Sequence, residues 1–137
     1  MPSILFICVH NACRSRMAEV ICRRVAPVSW TIASVGSHPS LRVDPKAVAI
    51  LTQHGLDMGS SRPKGFHEIL TTQWDYAVSM GCSDRCPDVP ARTFIEWGIP
   101  DPLDGPMERY QVLYNDLQRR IGDLIVKIQN DTVSLQG

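Results

Sequence analysis

A cysteine and an arginine with five residues between them, and a serine directly after, form the first group in this chain that could do chemistry. The segment is Cys8-Val9-His10-Asn11-Ala12-Cys13-Arg14-Ser15. The seven residues from Cys8 to Arg14 can wrap once around a tetrahedral anion. Their backbone N–H groups then point inward, and a helix starting near Arg14 adds the positive end of its dipole. A guanidinium at Arg14 can grip two anion oxygens with its planar fork. The same donors favour the thiolate form of Cys8, which is the nucleophilic form of cysteine. Ser15 can donate a hydrogen bond to that sulfur, and Asn11 is expected to brace the loop by bonding its own backbone. The candidate oxyanion-binding set is therefore Cys8, Val9, His10, Asn11, Ala12, Cys13, Arg14 and Ser15.

This spacing is common by chance, and the competing reading is a buried cysteine at a strand end with an arginine on a helix surface. What separates the two is the structure around the motif. Residues 3–7 (SILFI) form an apolar run that reads as a buried strand. Residues 15–26 place Met17, Ala18, Ile21, Cys22 and Val25 on one helical face. The motif thus sits on a strand–loop–helix unit. Further along, 29–35 reads as a second strand stopped by Gly36. Asp44-Pro45 reads as an N-cap and first position of a helix ending near His54, before Gly55. Residues 56–70 read as loop and a short helix, 75–80 and 92–97 as two more strands, and 98–106 as a Pro-rich loop. Tyr110, Leu113, Tyr114, Leu117, Ile121, Leu124, Ile125 and Ile128 mark an amphipathic helix, with Arg109, Asp116, Arg119, Arg120 and Asp123 largely on its other side. This alternation predicts an α/β fold with a parallel sheet and helices on both faces, and ligands at the carboxyl ends of the strands.

The chain has 137 residues, enough for one core, and residues 1–137 are expected to form a single domain. Fourteen basic and fourteen acidic side chains cancel. That balance gives no electrostatic case for nucleic acid or an anionic membrane as partner, so any anion site has to be local. No stretch is apolar for long enough to span a bilayer, and the N-terminus lacks a basic leader, so a cytoplasmic location is expected. Five cysteines, an odd number, argue against a structural disulfide framework. Cys82 and Cys86 stand at C-x3-C in Met80-Gly81-Cys82-Ser83-Asp84-Arg85-Cys86-Pro87. They fit small apolar fillers or a redox pair that closes a disulfide on reorganisation. A metal site would need two further ligands at matching spacing, which the sequence does not offer, so no metal is expected. Cys13 is either a fallback thiol in the loop or part of the first helix's packing, and Cys22 is a core residue. His10 faces solvent or tunes the site. His38, His54 and His67 show no partner, and Trp30, Trp74 and Trp97 are read as core or sheet-end packing.

The run from Cys8 through Ser15 and on to Arg16-Met17-Ala18-Glu19 resembles the phosphate loop of the low-molecular-weight protein tyrosine phosphatase superfamily, which includes a branch of arsenate reductases. The later motifs come in the family's order, so the resemblance covers most of the chain. It implies a four-stranded parallel sheet flanked by helices. Trp97-Gly98-Ile99-Pro100-Asp101-Pro102 resembles the family's acid loop and implies that Asp101 is the general acid; Asp104-Gly105 is the weaker candidate and reads as a turn. The Cys82/Cys86 segment resembles the redox loop of the arsenate reductases. The catalytic set implied is then Cys8, Arg14, Asp101, Cys82 and Cys86. The activity implied is reduction of arsenate to arsenite in arsenic detoxification, through a cysteine disulfide relay. The alternative is a tyrosine phosphatase or small phosphate-ester phosphatase. No cofactor is implied beyond an external thiol reductant: thioredoxin, or mycothiol or glutathione with a glutaredoxin-like protein. Two departures bear on this. Pro102-Leu103-Asp104 lacks the tyrosine that follows the acid in tyrosine phosphatases, and the Cys82–Cys86 spacing is shorter than in the thioredoxin-coupled type. Asn11, Glu19 and Ser34 are similar to part of a monovalent-cation site found in some members of that type.

Overall fold

The computed structural model describes residues 2–9, 11, 13–36, 43–58, 73–81, 90–102 and 105–136, with backbone only at 133–136. Its elements are β1 (Ser3–Cys8), α1 (Arg14–Val25), β2 (Thr31–Gly36), α2 (Pro45–Gln53), β3 (Trp74–Ser79), β4 (Ala91–Glu96) and α3 (Met107–Gln136). The strands form one sheet in the order β2-β1-β3-β4, and every pairing is parallel. The expected α/β class with four parallel strands flanked by helices is what folds.

The sequence causes are local. β1 is apolar throughout because both of its faces are covered, as in the centre of a parallel sheet. Ile4, Phe6 and Cys8 point into the main core, whereas Leu5 and Ile7 join Val35, Trp74 and Ala77 in a smaller cluster. α1, α2 and α3 all send their buried side chains into the main core. Among the described residues, then, helices cover the sheet from one side only. The expected loop and short helix at 56–70 lies from 59 onward outside the described residues. β4 is an edge strand whose residues are half-buried and exposed in alternation.

α2 starts as its sequence predicts. The Asp44 side chain accepts a hydrogen bond from the Lys46 backbone N–H at 2.9 Å, Pro45 occupies the first turn, and Gly55 has a φ of 75°. α3 runs 30 residues, roughly 45 Å at 1.5 Å per residue. All eight apolar positions of its predicted stripe are buried. No described helix is long and apolar enough to cross a membrane.

The order of strands places a switch in connection direction between β1 and β3, because the chain leaves β1 toward β2 on one side and later fills β3 and β4 on the other. At such a point the loops part and leave a crevice at the carboxyl ends. Cys8 is the last residue of β1, and Met80 and Gly81 directly follow β3, so both chains open into that crevice.

Candidate active site

Cys8 is buried to 2% exposure, and its Sγ lies 2.9 Å from Ser15 Oγ on the first turn of α1. Asn11 adopts a φ of 51°, the left-handed region that asparagine tolerates better than most side chains. Its side chain does more than bond its own backbone. Asn11 Nδ2 donates to Ser15 Oγ at 2.8 Å and to Ser34 Oγ on β2 at 2.9 Å. Ser34 Oγ donates in turn to Glu19 Oε1 at 2.6 Å. Glu19 Oε2 accepts from Arg23 Nε at 3.0 Å, one helical turn on.

These bonds fix a direction. A carboxylate only accepts, so the single Ser34 proton goes to Glu19 and Ser34 must accept from Asn11. Both Asn11 amide protons are then committed and Ser15 accepts one of them, which leaves the Ser15 hydroxyl proton available to the Cys8 sulfur. A thiolate accepts such a bond, which is a charge-assisted one. Asn11, Ser15 and Ser34 are all fully buried, so no water competes for these donors. Asn11, Glu19 and Ser34, the residues similar to part of a cation site, are thus brought together, with the Arg23 guanidinium on the outer oxygen of Glu19.

Arg14 is 5% exposed and is held by main-chain carbonyls at the ends of two other strands. Its Nη1 donates to Met80 O and to Ile99 O, the latter at 2.9 Å. Its Nη2 lies 3.7 Å from Asp101 Oδ2, and the Asp101 side chain is one-third exposed, at the mouth of the crevice. Gly81 has a φ of 98°, and a Cβ there would stand 3.3 Å from Arg14 Nη1. The backbone that leads into Cys82 therefore runs close against the guanidinium, and both the tight approach and the positive φ favour glycine there.

The fold brings Cys8, Arg14, Ser15, Asn11 and Asp101 to one place. His10, Ala12, Cys82, Cys86, His38, His67 and Asp104 lie outside the described residues. Cys13 caps α1 with its side chain turned inward onto Met17, at 3.9 Å between sulfurs. Burial above all, then the charges of Asp44, Asp101 and Cys8, pushes its thiol far above the ordinary range, which fits packing rather than a fallback nucleophile. Burial pushes the Cys22 thiol up to about 12. His54, expected to lack a partner, stacks on Tyr114 at 3.9 Å between ring centroids and meets Gln111 Oε1 at 3.3 Å. The sequence reading missed the two carbonyls that hold Arg14 and the Glu19–Arg23 pair. Only the pair had a local signal, its i,i+4 spacing on a helix.

Among the described residues no group of three or more His, Cys, Asp or Glu side chains could hold a metal ion. What remains is a buried thiol under a fixed hydroxyl donor, a clamped guanidinium, and a carboxyl group at the mouth.

The chain is similar to several known proteins. The "Glutaredoxin arsenate reductase" of Synechocystis sp. is 28% identical over 131 residues, covering 93% of this chain and 99% of that protein. "Arsenate reductase 2" of Staphylococcus haemolyticus is 30% identical over 123 residues, covering 87% and 92%. Among solved structures, the Corynebacterium glutamicum thioredoxin-dependent arsenate reductase aligns with a TM-score of 0.78 at 32% identity, over 96% of this chain; this chain spans 63% of that one. An arsenate reductase in its phosphate-binding state aligns with a TM-score of 0.84 at 27% identity, over 93% of this chain and 99% of the other. Residues 3–134 match the family described as low molecular weight phosphotyrosine protein phosphatase, and the chain belongs to that family.

Proposed function

We propose that this chain is an arsenate reductase in which Cys8 is the nucleophile. The observation that carries the proposal is the meeting of β1 and β3 at one crevice: the Cys8 sulfur lies at the end of one strand. At the end of the other, the backbone packed on Arg14 is one residue in sequence from Cys82. A phosphatase needs the first half of that arrangement only. The likeness to proteins named arsenate reductase supports the same choice.

In this reading the Cys8 thiolate attacks the arsenic of an arsenate held by the 8–15 loop and Arg14. Asp101 protonates the departing oxygen, which leaves as water, and a Cys8 sulfur–arsenic bond forms. Cys82 then attacks the Cys8 sulfur. The electron pair of the sulfur–arsenic bond departs with the arsenic, which leaves as arsenite, and a Cys8–Cys82 disulfide forms. Cys86 attacks Cys82 and frees Cys8 as thiolate; the two electrons have left with arsenite, and the protein is left oxidised as a Cys82–Cys86 disulfide. An external dithiol such as thioredoxin reduces it. With mycothiol or glutathione and a glutaredoxin-like protein instead, the small thiol attacks the arseno-cysteine directly and the relay is bypassed.

The test is arsenate turnover by the reduced protein with thioredoxin and its reductase, set beside a small thiol with glutaredoxin. Cys82→Ser is expected to abolish turnover with thioredoxin while sparing hydrolysis of nitrophenyl phosphate. Full thioredoxin-linked turnover by Cys82→Ser would exclude the relay. Absence of arsenate turnover with either donor, beside brisk ester hydrolysis, would make the chain a phosphatase.

A further inference from the structure

Asp101 can protonate a leaving oxygen only if its segment stays over Cys8, so what holds that segment bears on the chemistry. A groove of about 530 Å³ is lined by Ile99, Pro100, Asp101 and Pro102 together with Val112 and Leu113 of α3. Ile99 is buried in the main core with Leu113, whereas Asp101 stands exposed at the groove, so specific contacts on either side of the acid set its position. At its start, Ile99 O accepts from Arg14 Nη1 at 2.9 Å. Beyond the acid, Gly105 N–H donates to Pro102 O at 2.7 Å, closing a tight turn. A Cβ at Gly105 would lie 2.8 Å from that same oxygen, so the turn admits only glycine without moving. The Gly105 carbonyl is taken by Lys46 Nζ at 2.7 Å, from the first turn of α2, 59 residues away in sequence.

We propose that Lys46 is a positioning residue that fixes the Asp101 segment over the anion site by clamping Gly105. The proposal rests on Asp101 being the acid. An ammonium donating to a carbonyl makes a charge-assisted bond, stronger than a neutral one. Its base is rigid as well. The Lys46 backbone N–H is bound by Asp44 Oδ1, and Asp44 Oδ2 accepts the Tyr110 hydroxyl at the start of α3. The first turn of α2 thus grips both the end of the acid turn and the helix after it. With the groove behind it, the segment has room to shift once the Lys46 bond is lost, and a displacement of the acid by about 1 Å is enough to slow proton transfer.

The experiment is a double-mutant cycle between Lys46→Met and Asp101→Asn, with Lys46→Arg as conservative variant. It is read as kcat and KM for arsenate reduction and for nitrophenyl phosphate hydrolysis, with melting temperatures alongside. Lys46 is exposed at the surface, so Lys46→Met is expected to fold and melt within a few degrees of the parent. The expected result is a fall in kcat of about tenfold with KM within about twofold, recovery with arginine, and no further loss when Lys46→Met is added to Asp101→Asn. Parental turnover by Lys46→Met, beside an impaired Asp101→Asn, would overturn the clamp and leave the acid in place. Equal losses in both backgrounds would also overturn it, because the lysine would then act elsewhere. An unimpaired Asp101→Asn would remove the acid reading itself, and the clamp with it.

Discussion

Cys8 sits where four separate demands meet: a strand end, an anion loop, a serine donor and exclusion of water. Removing the sulfur while keeping the shape tests its role as nucleophile. Cys8→Ser is expected to lose all turnover, a drop of roughly 10³-fold or more, and still bind phosphate, as isothermal titration would show. Asn11 separates backbone from side chain. Its φ of 51° disfavours a plain L-residue by about 1–2 kcal/mol, and its amide donates both to Ser15 and to Ser34, which donates on to Glu19. Asn11→Gly relieves the first and deletes the second; Asn11→Ala deletes the second and keeps the strain. If the donor chain dominates, both variants show similar losses of turnover. If the loop conformation dominates, glycine stays close to the parent and alanine alone fails. The residues of this site were legible because a thiol, a guanidinium and a serine lie within one turn of chain. The donor chain beyond Asn11 was not legible: the resemblance groups Asn11, Glu19 and Ser34 only as part of a cation site, and Ser34 is 23 residues from Asn11 with nothing local to pair them.

The elements were read well where one local force sets them. β1 is a buried apolar run, α1 and α3 carry apolar stripes, and Asp44-Pro45 is a cap followed by a fixed φ, so their starts lie close to where the pattern puts them. β2 begins at Thr31 rather than at residue 29 because Trp30 N–H closes a turn onto Pro27 O, and Thr31 is the first residue in register with Ser3. A turn of that kind has no apolar signature. The contact that ties α2 to α3 was also invisible, because Asp44 serves twice and its second partner, Tyr110, is 66 residues away. That contact carries a measurable prediction. Tyr110 is 1% exposed, and Tyr110→Phe leaves the ring in place while Asp44 loses a buried donor. A loss of about 1–3 kcal/mol in urea unfolding is expected, with an unchanged slope. Asp44→Ala removes the helix cap as well and should lose more, by about 1 kcal/mol. Equal losses would mean that the cap contributes nothing at this end of α2.

For the molecule as a whole, the same burial that keeps Cys13 and Cys22 out of the chemistry makes stability depend on pH. Burial chiefly pushes the Cys22 thiol from an ordinary 9.0 up to about 12, and the neighbouring Arg23 opposes this only in part. Burial first, then a hydrogen bond to Asp131, pushes the Tyr76 hydroxyl up to about 12, and burial raises Cys13 and Tyr110 in the same direction. Each of these groups keeps its proton in the folded chain after the unfolded chain has lost it. Above pH 9, therefore, the unfolded state binds fewer protons than the folded state, and stability falls as pH rises. The contribution is complete below the ordinary pKa and is lost progressively between pH 9 and about 12. Below pH 9 these groups contribute no slope. Urea midpoints measured from pH 7 to pH 11 should be flat with respect to these groups up to about 9 and then decline. Cys22→Ala removes one of the linked protons. It should cost on the order of 1 kcal/mol at pH 7 through lost packing, yet decline less steeply above pH 9, so that parent and variant converge in alkali. Parallel curves would show that Cys22 ionises as readily folded as unfolded. The packing of α1 against the sheet would then be looser than 0% exposure of that side chain implies.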